Sequence, residues 1–234
     1  MRKRKSMAVC LFSLCVAVAL VLAGTAVGEV SRNGLVAEYH FDGDAKDSSG
    51  NGNDGVIHGT TFVDGKFGKA LSFDGANNYV NVAGVWGGTS WKEATIEAWV
   101  STKTTSGDFQ AIVSSTSADF VHLQLNSWGN IAIFTDNIKP YIALPIISQK
   151  PTGIWRHIAI SIKSGNTKLY ENGVEVGFDS STFSYLTHAA ELHIGNGYQN
   201  GRFFNGLIDE VRIYNRALSA EEIKANYKAG QTAP

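Results

Sequence analysis

The sequence predicts an all-β fold, an antiparallel sandwich or barrel with one short C-terminal helix. Three observations carry this expectation. Short apolar runs with period-two alternation recur along the chain, separated by clusters of Gly, Asn, Asp and Ser. Glycine is abundant at 25 residues while proline is scarce at 4, which suits many tight turns between pairing strands. Only one segment carries a full set of helix signals.

The elements follow in order. Leu35 to Phe41 reads as the first strand. Ala70–Phe73 and Tyr79–Val82 are short strands joined by the turn residues Asp74-Gly75-Ala76-Asn77-Asn78. From Thr95 to Val100 the chain alternates: Ile96, Ala98 and Val100 share one face, and Thr95, Glu97 and Trp99 the other. Ala111–Val113, Val121–Leu125 and Ile131–Phe134 continue the series, and Trp155 to Ile162 alternates again. Leu169-Tyr170 and Val174–Val176 flank Glu171-Asn172-Gly173, whose Asn-Gly step is a strong hairpin signal. Glu191–Ile194 and Leu207–Tyr214 supply the last strands. The helix begins after Ser219, an N-cap with Glu222 three residues on to complete a capping box. It is expected to run to about Tyr227 and stop near Gly230. Thr102 to Ser117 is polar and loop-rich, and Ile138 to Thr152, with three prolines, reads as an irregular edge or long loop.

The N-terminus has the layout of a secretory signal peptide. Arg2, Lys3, Arg4 and Lys5 precede an apolar stretch from Met7 to Ala23, and Ala26-Val27-Gly28 places small residues for cleavage before Glu29. The expected domains are therefore residues 1–28, a signal peptide, and residues 29–234, one folded domain. A secreted or periplasmic destination follows, with no membrane insertion after cleavage. Cys10 and Cys15 are the only cysteines and leave with the signal, so the mature chain has no disulfide and relies on its core or a bound ion. Loss of four basic residues leaves 16 Lys and Arg against 21 Asp and Glu, a net of −5. With no basic patch, nucleic acid is not an expected partner.

Three stretches, in order, resemble the bacterial laminin-G-like jelly-roll family. The first runs through Phe41-Asp42-Gly43, Asp47–Gly55, Gly65–Leu71 and Phe73-Asp74-Gly75. The second is Trp155-Arg156-His157-Ile158-Ala159 followed by Leu169–Gly173, and the third is Phe204 to Ser219. The resemblance spans residues 34 to about 230. It implies a concanavalin A-like β-sandwich of two antiparallel sheets packed face to face, one of them concave. It leaves the ligand open, because such folds carry lectins, adhesion modules, glucanases and lyases.

Three kinds of chemistry follow. Asp47-x-Ser49-x-Asn51-Gly52 places oxygen side chains at alternate positions before a glycine, as the start of a calcium loop does. The resemblance implies calcium near the start and end of the domain. Asp42 and Asp209 are then the expected carboxylates, with Asp44 and Asp47 as alternatives; the competing reading is that these residues only shape turns. Glycan binding needs aromatic faces and a few polar groups. The loop aromatics Trp86, Trp91, Trp128, Tyr198 and Phe203, with Asn200 and Arg202 as hydrogen-bonding partners, form the expected platform, although each could instead anchor its loop on the core. Trp99 and Trp155 are expected in the core, and His157 is read as structural. Catalysis is not expected. Asp209 and Glu210 are adjacent strand residues and point to opposite faces, Glu97 is alone on its strand, and no paired carboxylates appear. The reading is a secreted, non-catalytic binding module, lectin-like and calcium-stabilised, whose partner is an extracellular glycan or glycoprotein. A protein-binding adhesion domain and a polysaccharide-active hydrolase or lyase are the alternatives.

Overall fold

The computed structural model describes residues 30–85, 90–103, 109–116, 122–125, 131–134, 142–143, 152–184, 186, 191–197 and 201–232. The proposed signal peptide lies outside them. No described helix is long and apolar enough to cross a membrane.

Among the described residues, fifteen strands are arranged in two antiparallel sheets and one helix follows them. The first sheet contains β1 (Leu35–Tyr39), β3 (Thr61–Asp64), β4 (Lys69–Asp74), β6 (Glu93–Thr102), β11 (Arg156–Lys163), β12 (Thr167–Glu171), β13 (Val174–Asp179) and β15 (Asn205–Tyr214). Its order is β13-β12-β11-β6-β15-β4-β3, with β1 also pairing β15. The second sheet contains β2 (Gly55–His58), β5 (Tyr79–Ala83), β7 (Gln110–Ser115), β8 (His122–Leu125), β9 (Ile131–Phe134), β10 (Ile142–Ala143) and β14 (Glu191–Ile194), in the order β10-β9-β8-β7-β14-β5-β2. The central strands are read correctly from alternation. The edge strands β2 and β3 are not, because each has four residues and little burial.

One apolar core lies between the sheets. Ile96, Ala98 and Val100 of β6, Ile208 and Val211 of β15 and Ile158 and Ile160 of β11 meet Val80, Val113, Leu123 and Ile194 from the other sheet. The alternation therefore points inward as read. The outer face of β6 is buried too: Trp99 is 1% exposed and Glu97 fully buried. Helix α1 (Ala220–Thr232) and the turn at Gly65–Gly68 cover it. Trp155, expected in the core, is only half-buried at the entry to β11.

Asn172 (φ 50°) and Gly173 (φ 74°) adopt the left-handed pair that a two-residue hairpin requires between β12 and β13. The helix start is as read: Glu222 N donates to Ser219 Oγ (3.2 Å) and Ser219 N to Glu222 Oε2 (2.9 Å). The helix continues past Tyr227 to Thr232, so Gly230 does not end it. Ser219→Ala should cost about 0.5–2 kcal/mol, read as a lower urea midpoint with an unchanged slope.

Candidate functional site

The second sheet carries polar side chains on its outer face. Register places Asn81 of β5 opposite His193 of β14, His193 opposite Ser114 of β7, and Ser114 opposite His122 of β8. These four form a row across four strands. The alternating residues Val80, Ile194, Val113 and Leu123 form the matching row on the core side. Gln124 lies two residues beyond His122 and so shares the outer face. Tyr79 lies between two imidazoles, with ring centroids 4.5 Å from His58 and 4.7 Å from His193.

Burial grades along this face. His58 is exposed, Tyr79, Asn81 and His193 are half-buried, and Ser114, His122 and Gln124 are buried. The polar groups are only partly satisfied. His122 Nδ1 lies 2.6 Å from Ser114 Oγ, and Asn196 Nδ2 lies 3.3 Å from His193 Nδ1. Asn81 Oδ1, Asn196 Oδ1 and Gln124 Nε2 are buried with no hydrogen-bond partner. Buried amide atoms normally find partners, so three open valences, on Asn81 of β5, Gln124 of β8 and Asn196 two residues beyond β14, are a site feature. Burial lowers the His193 pKa; Glu191 opposes this and His58 adds to it.

Of the expected glycan platform, Arg202 reaches this face. Its Nη1 donates to Gln124 Oε1 (3.2 Å) and its guanidinium lies 4.8 Å from the Phe109 ring centroid. Phe203 beside it is half-buried. Trp91 packs against the core, and its backbone bridges Leu186, which is the anchoring role weighed against ligand contact. Trp86, Trp128, Tyr198 and Asn200 lie outside the described residues. Sequence reasoning did not select Tyr79, Asn81, Ser114, His122, Gln124, His193 or Asn196. The available signal was the identity of the polar partners in the alternation: His, Gln and Asn rather than Thr or Lys.

The four aspartates are not gathered into one cluster, and no three His, Cys, Asp or Glu among the described residues could hold a metal ion together. Asp47 shapes its own loop: Oδ1 accepts from Glu38 N and Ser49 N, and Oδ2 from Ser49 Oγ and Asn53 N. Asp44 accepts from Lys46 N in an exposed turn. Asp42 and Asp209 brace opposite ends of one turn. Asp42 Oδ1 accepts from Lys69 N (2.7 Å), and Asp209 Oδ2 from Lys66 N (2.9 Å) and Phe67 N (3.1 Å). Asp209 Oδ1 alone is buried without a partner. Burial pushes its pKa up to about 7, against the lowering by those amides.

The outer face of the first sheet holds a second polar cluster, beneath α1. Arg212 Nε donates to Glu38 Oε1 (2.8 Å), Arg212 Nη2 pairs with Glu210, and Nη1 lies 3.8 Å from Glu97 Oε1. Asn226 of α1 donates to Glu97 Oε1 (2.8 Å). His157 Nε2 lies 3.6 Å from Glu97 Oε2, and both residues are fully buried. Burial raises Glu97 to about 7, with Arg212 opposing, and lowers His157 to about 3, with Arg212 adding to the fall. An ion pair would move both in the opposite sense. Desolvation dominates at this site and holds Glu97 above the usual carboxylate range and His157 below the usual imidazole range. Glu38 behaves differently: burial raises it, but Arg212 together with His40 and Arg32 outweighs burial and its pKa is lowered.

A stability prediction follows. Glu97 has a folded pKa near 7 against 4.5 unfolded, so its contribution is fully present below pH 4.5 and is lost as pH rises through 7. Glu97→Gln removes this loss. The variant should match the wild type near pH 5 and exceed it by roughly 3 kcal/mol near pH 8, measured as paired melts across that range. A constant difference at all pH values would contradict the assignment.

The fold is a two-sheet jelly-roll sandwich carrying a polar, partly open face on one sheet. Residues 74–224 match a laminin G family model described as the concanavalin A-like lectin/glucanases superfamily. The match spans more than half of the sequence, and the chain belongs to this superfamily. No curated protein matches the chain. Among solved structures, it is similar to domain 4 of AbnA, a GH43 extracellular arabinanase from Geobacillus stearothermophilus, in complex with arabinotriose. The TM-score is 0.66 at 27% identity, over 81% of this chain and 96% of that one. The receptor-binding domain of botulinum neurotoxin C/D mosaic serotype aligns with a TM-score of 0.69 at 15% identity, over 85% of this chain and 52% of that one. A botulinum neurotoxin type C structure, for a toxin whose cell entry depends on interaction with two ganglioside molecules, gives 0.69 at 12%, over 86% and 52%. The chain spans about half the length of these toxin chains, and at such identities the likeness is one of fold.

Proposed function

We propose that this protein is an exported, non-catalytic carbohydrate-binding module that takes its glycan on the outer face of the second sheet. The observation that carries the reading is the set of three buried amide atoms, on Asn81, Asn196 and Gln124, left open on one face beside the His58–Tyr79–His193 stack. Sugar hydroxyls both donate and accept, so they complete such amides, while their C–H faces pack on rings. The arabinotriose complex of the arabinanase domain lends support at 27% identity. Among the described residues the face has one carboxylate, Glu191, whereas glycoside hydrolysis uses two. The partner is an extracellular glycan or glycoprotein, consistent with the signal-like N-terminus. A glycan array tests this: the wild type should bind a defined set of structures, and Tyr79→Ala should weaken that binding at least tenfold with an unchanged melt. No binding to any glycan, with a protein recovered by pull-down, would favour the adhesion reading.

We also propose that calcium stabilises the fold through Asp209, whose buried Oδ1 is open where Asp42 braces the other end of the same turn. Any further ligands would be main-chain carbonyls and water. Calcium at 100 times its Kd should add about 2.7 kcal/mol, seen as a melting midpoint that chelator lowers, and Asp209→Asn should abolish the difference. A midpoint indifferent to chelator contradicts it.

A further inference from the structure

The open atoms at the β5–β14 end of the second sheet's outer face are acceptors. An amide NH2 only donates, so the contact of Asn196 Nδ2 with His193 Nδ1 (3.3 Å) makes the ring nitrogen the acceptor and turns Asn196 Oδ1 away from it. Asn196 Oδ1 is then buried without a partner, as is Asn81 Oδ1. Both residues flank His193, which register places opposite Asn81. Glu191 adds a charge to the same end. It lies two residues before His193 and opposite Ala83, so it shares the outer face and is the diagonal neighbour of Asn81. Such neighbours stand about 7–8 Å apart, within reach of long side chains. Glu191 is half-buried, and its charge is felt at the His193 ring. The strands around it supply no cation: β2, β5, β7, β8 and β14 contain no Lys or Arg. Arg202 is held at the other end, on Gln124 and Phe109.

We infer that the Asn81–Glu191–Asn196 end is a subsite for a protonated amine, and that the glycan this face takes carries free amino groups; this rests on the proposed glycan-binding function and adds the ligand's class. An ammonium group has three donors and no acceptor. It matches two amide oxygens and one carboxylate in both number and charge. A hydroxyl has one O–H and no charge, so it completes one of these acceptors and leaves the others open. An N-acetyl group, with one N–H and no charge, fails on the same count. The net charge of −5 outside the first 28 residues attracts any polycation, so the ligands that report this subsite are short and compared in pairs.

The test is calorimetric titration of the purified protein at about 0.15 M salt, where a screening length of about 8 Å suppresses general attraction. The ligands are short oligomers of glucosamine and of galactosamine, each paired with its N-acetylated form, which keeps the sugar chain and removes the charge. Binding to at least one amine form is expected, roughly tenfold or more tighter than to its N-acetylated partner, as for a hydrogen bond to a charged group. Glu191→Gln should lose this preference while keeping the wild-type melt. Glu221→Gln removes the same charge from an exposed position on α1, against the other sheet, and should keep the preference. The acetylated comparison itself needs no variant. Equal binding to amine and N-acetylated forms, binding to neutral glycans alone, or an amine preference that survives Glu191→Gln overturns the inference and leaves the carbohydrate-binding reading standing. Failure to bind any glycan overturns both, and binding of trilysine in that case assigns the acceptors to a cationic peptide.

Discussion

Arg212→Ala is expected to destabilise the protein by about 3–5 kcal/mol, because it leaves buried carboxylates without their cation. Glu38, Glu97 and Glu210 all face this guanidinium, which is almost wholly inaccessible to water. The remaining cations cannot replace it. Arg32 reaches Glu38 from a half-exposed position, and His40 Nδ1 serves Glu210 at 2.7 Å. The loss is a large part of the 5–15 kcal/mol that typical domains possess. At about 2–4 °C per kcal/mol for a chain of this size, the melting midpoint should fall by roughly 6–20 °C. Arg212→Lys should recover part of this, since it keeps the charge but loses the forked geometry. A change below about 1 kcal/mol in Arg212→Ala would show that the three carboxylates are not held as described.

Trp99→Ala should cost a similar amount, about 3–5 kcal/mol. The ring is the centre of an aromatic group that joins α1 and the Gly65–Gly68 turn to the first sheet. Tyr227 stacks on it at 5.6 Å, Phe67 meets it edge-on at 5.7 Å, and His157 lies at 5.5 Å. Lys66 Nζ sits 4.9 Å from the ring centroid. Trp99→Phe separates packing from polarity. Trp99 Nε1 is buried without a partner, so phenylalanine removes an unsatisfied donor as well as part of the ring. The Phe variant should therefore lose much less than the Ala variant in urea melts. Equal losses would contradict this reading of the indole N–H.

Both predictions rest on features that the sequence reveals unevenly. The strand from Thr95 to Val100, the Asn172-Gly173 hairpin and the Ser219–Glu222 capping box are local, so alternation, turn chemistry and spacing suffice to read them. The geometry around Arg212 is not local. A β-bulge between Asp209 and Arg212, with Glu210 at φ 50°, puts residues three apart on the same face. Strict alternation would separate them, and no residue type marks the bulge. The aspartates show another limit. Asp47, Ser49 and Asn51 have the composition of an ion loop and of a hydrogen-bonded turn alike, and in the structure the amides of Ser49 and Asn53 donate to the Asp47 carboxylate. The face of the second sheet is legible strand by strand as apolar-in, polar-out. Its assembly from β5, β14, β7 and β8 requires the strand order, in which residues 81, 193, 114 and 122 become neighbours. That is why the sequence directs attention to loop aromatics, of which Trp91 packs against the core, while among the described residues Arg202 leads to the face.

The most direct measurement is calorimetric titration of the wild type and of Asn81→Ala/Gln124→Ala with a glycan that the wild type binds. Asn81→Ala removes an acceptor with an open valence and Gln124→Ala also removes the acceptor of the Arg202 bond, so the double variant should stay folded with a melting midpoint lowered by only a few degrees. Its affinity should fall at least a hundredfold, because hydrogen bonds from both ends of the face are lost. A double variant that binds the glycan as tightly as the wild type would place the ligand elsewhere and contradict the assignment of the second sheet's outer face as the binding site.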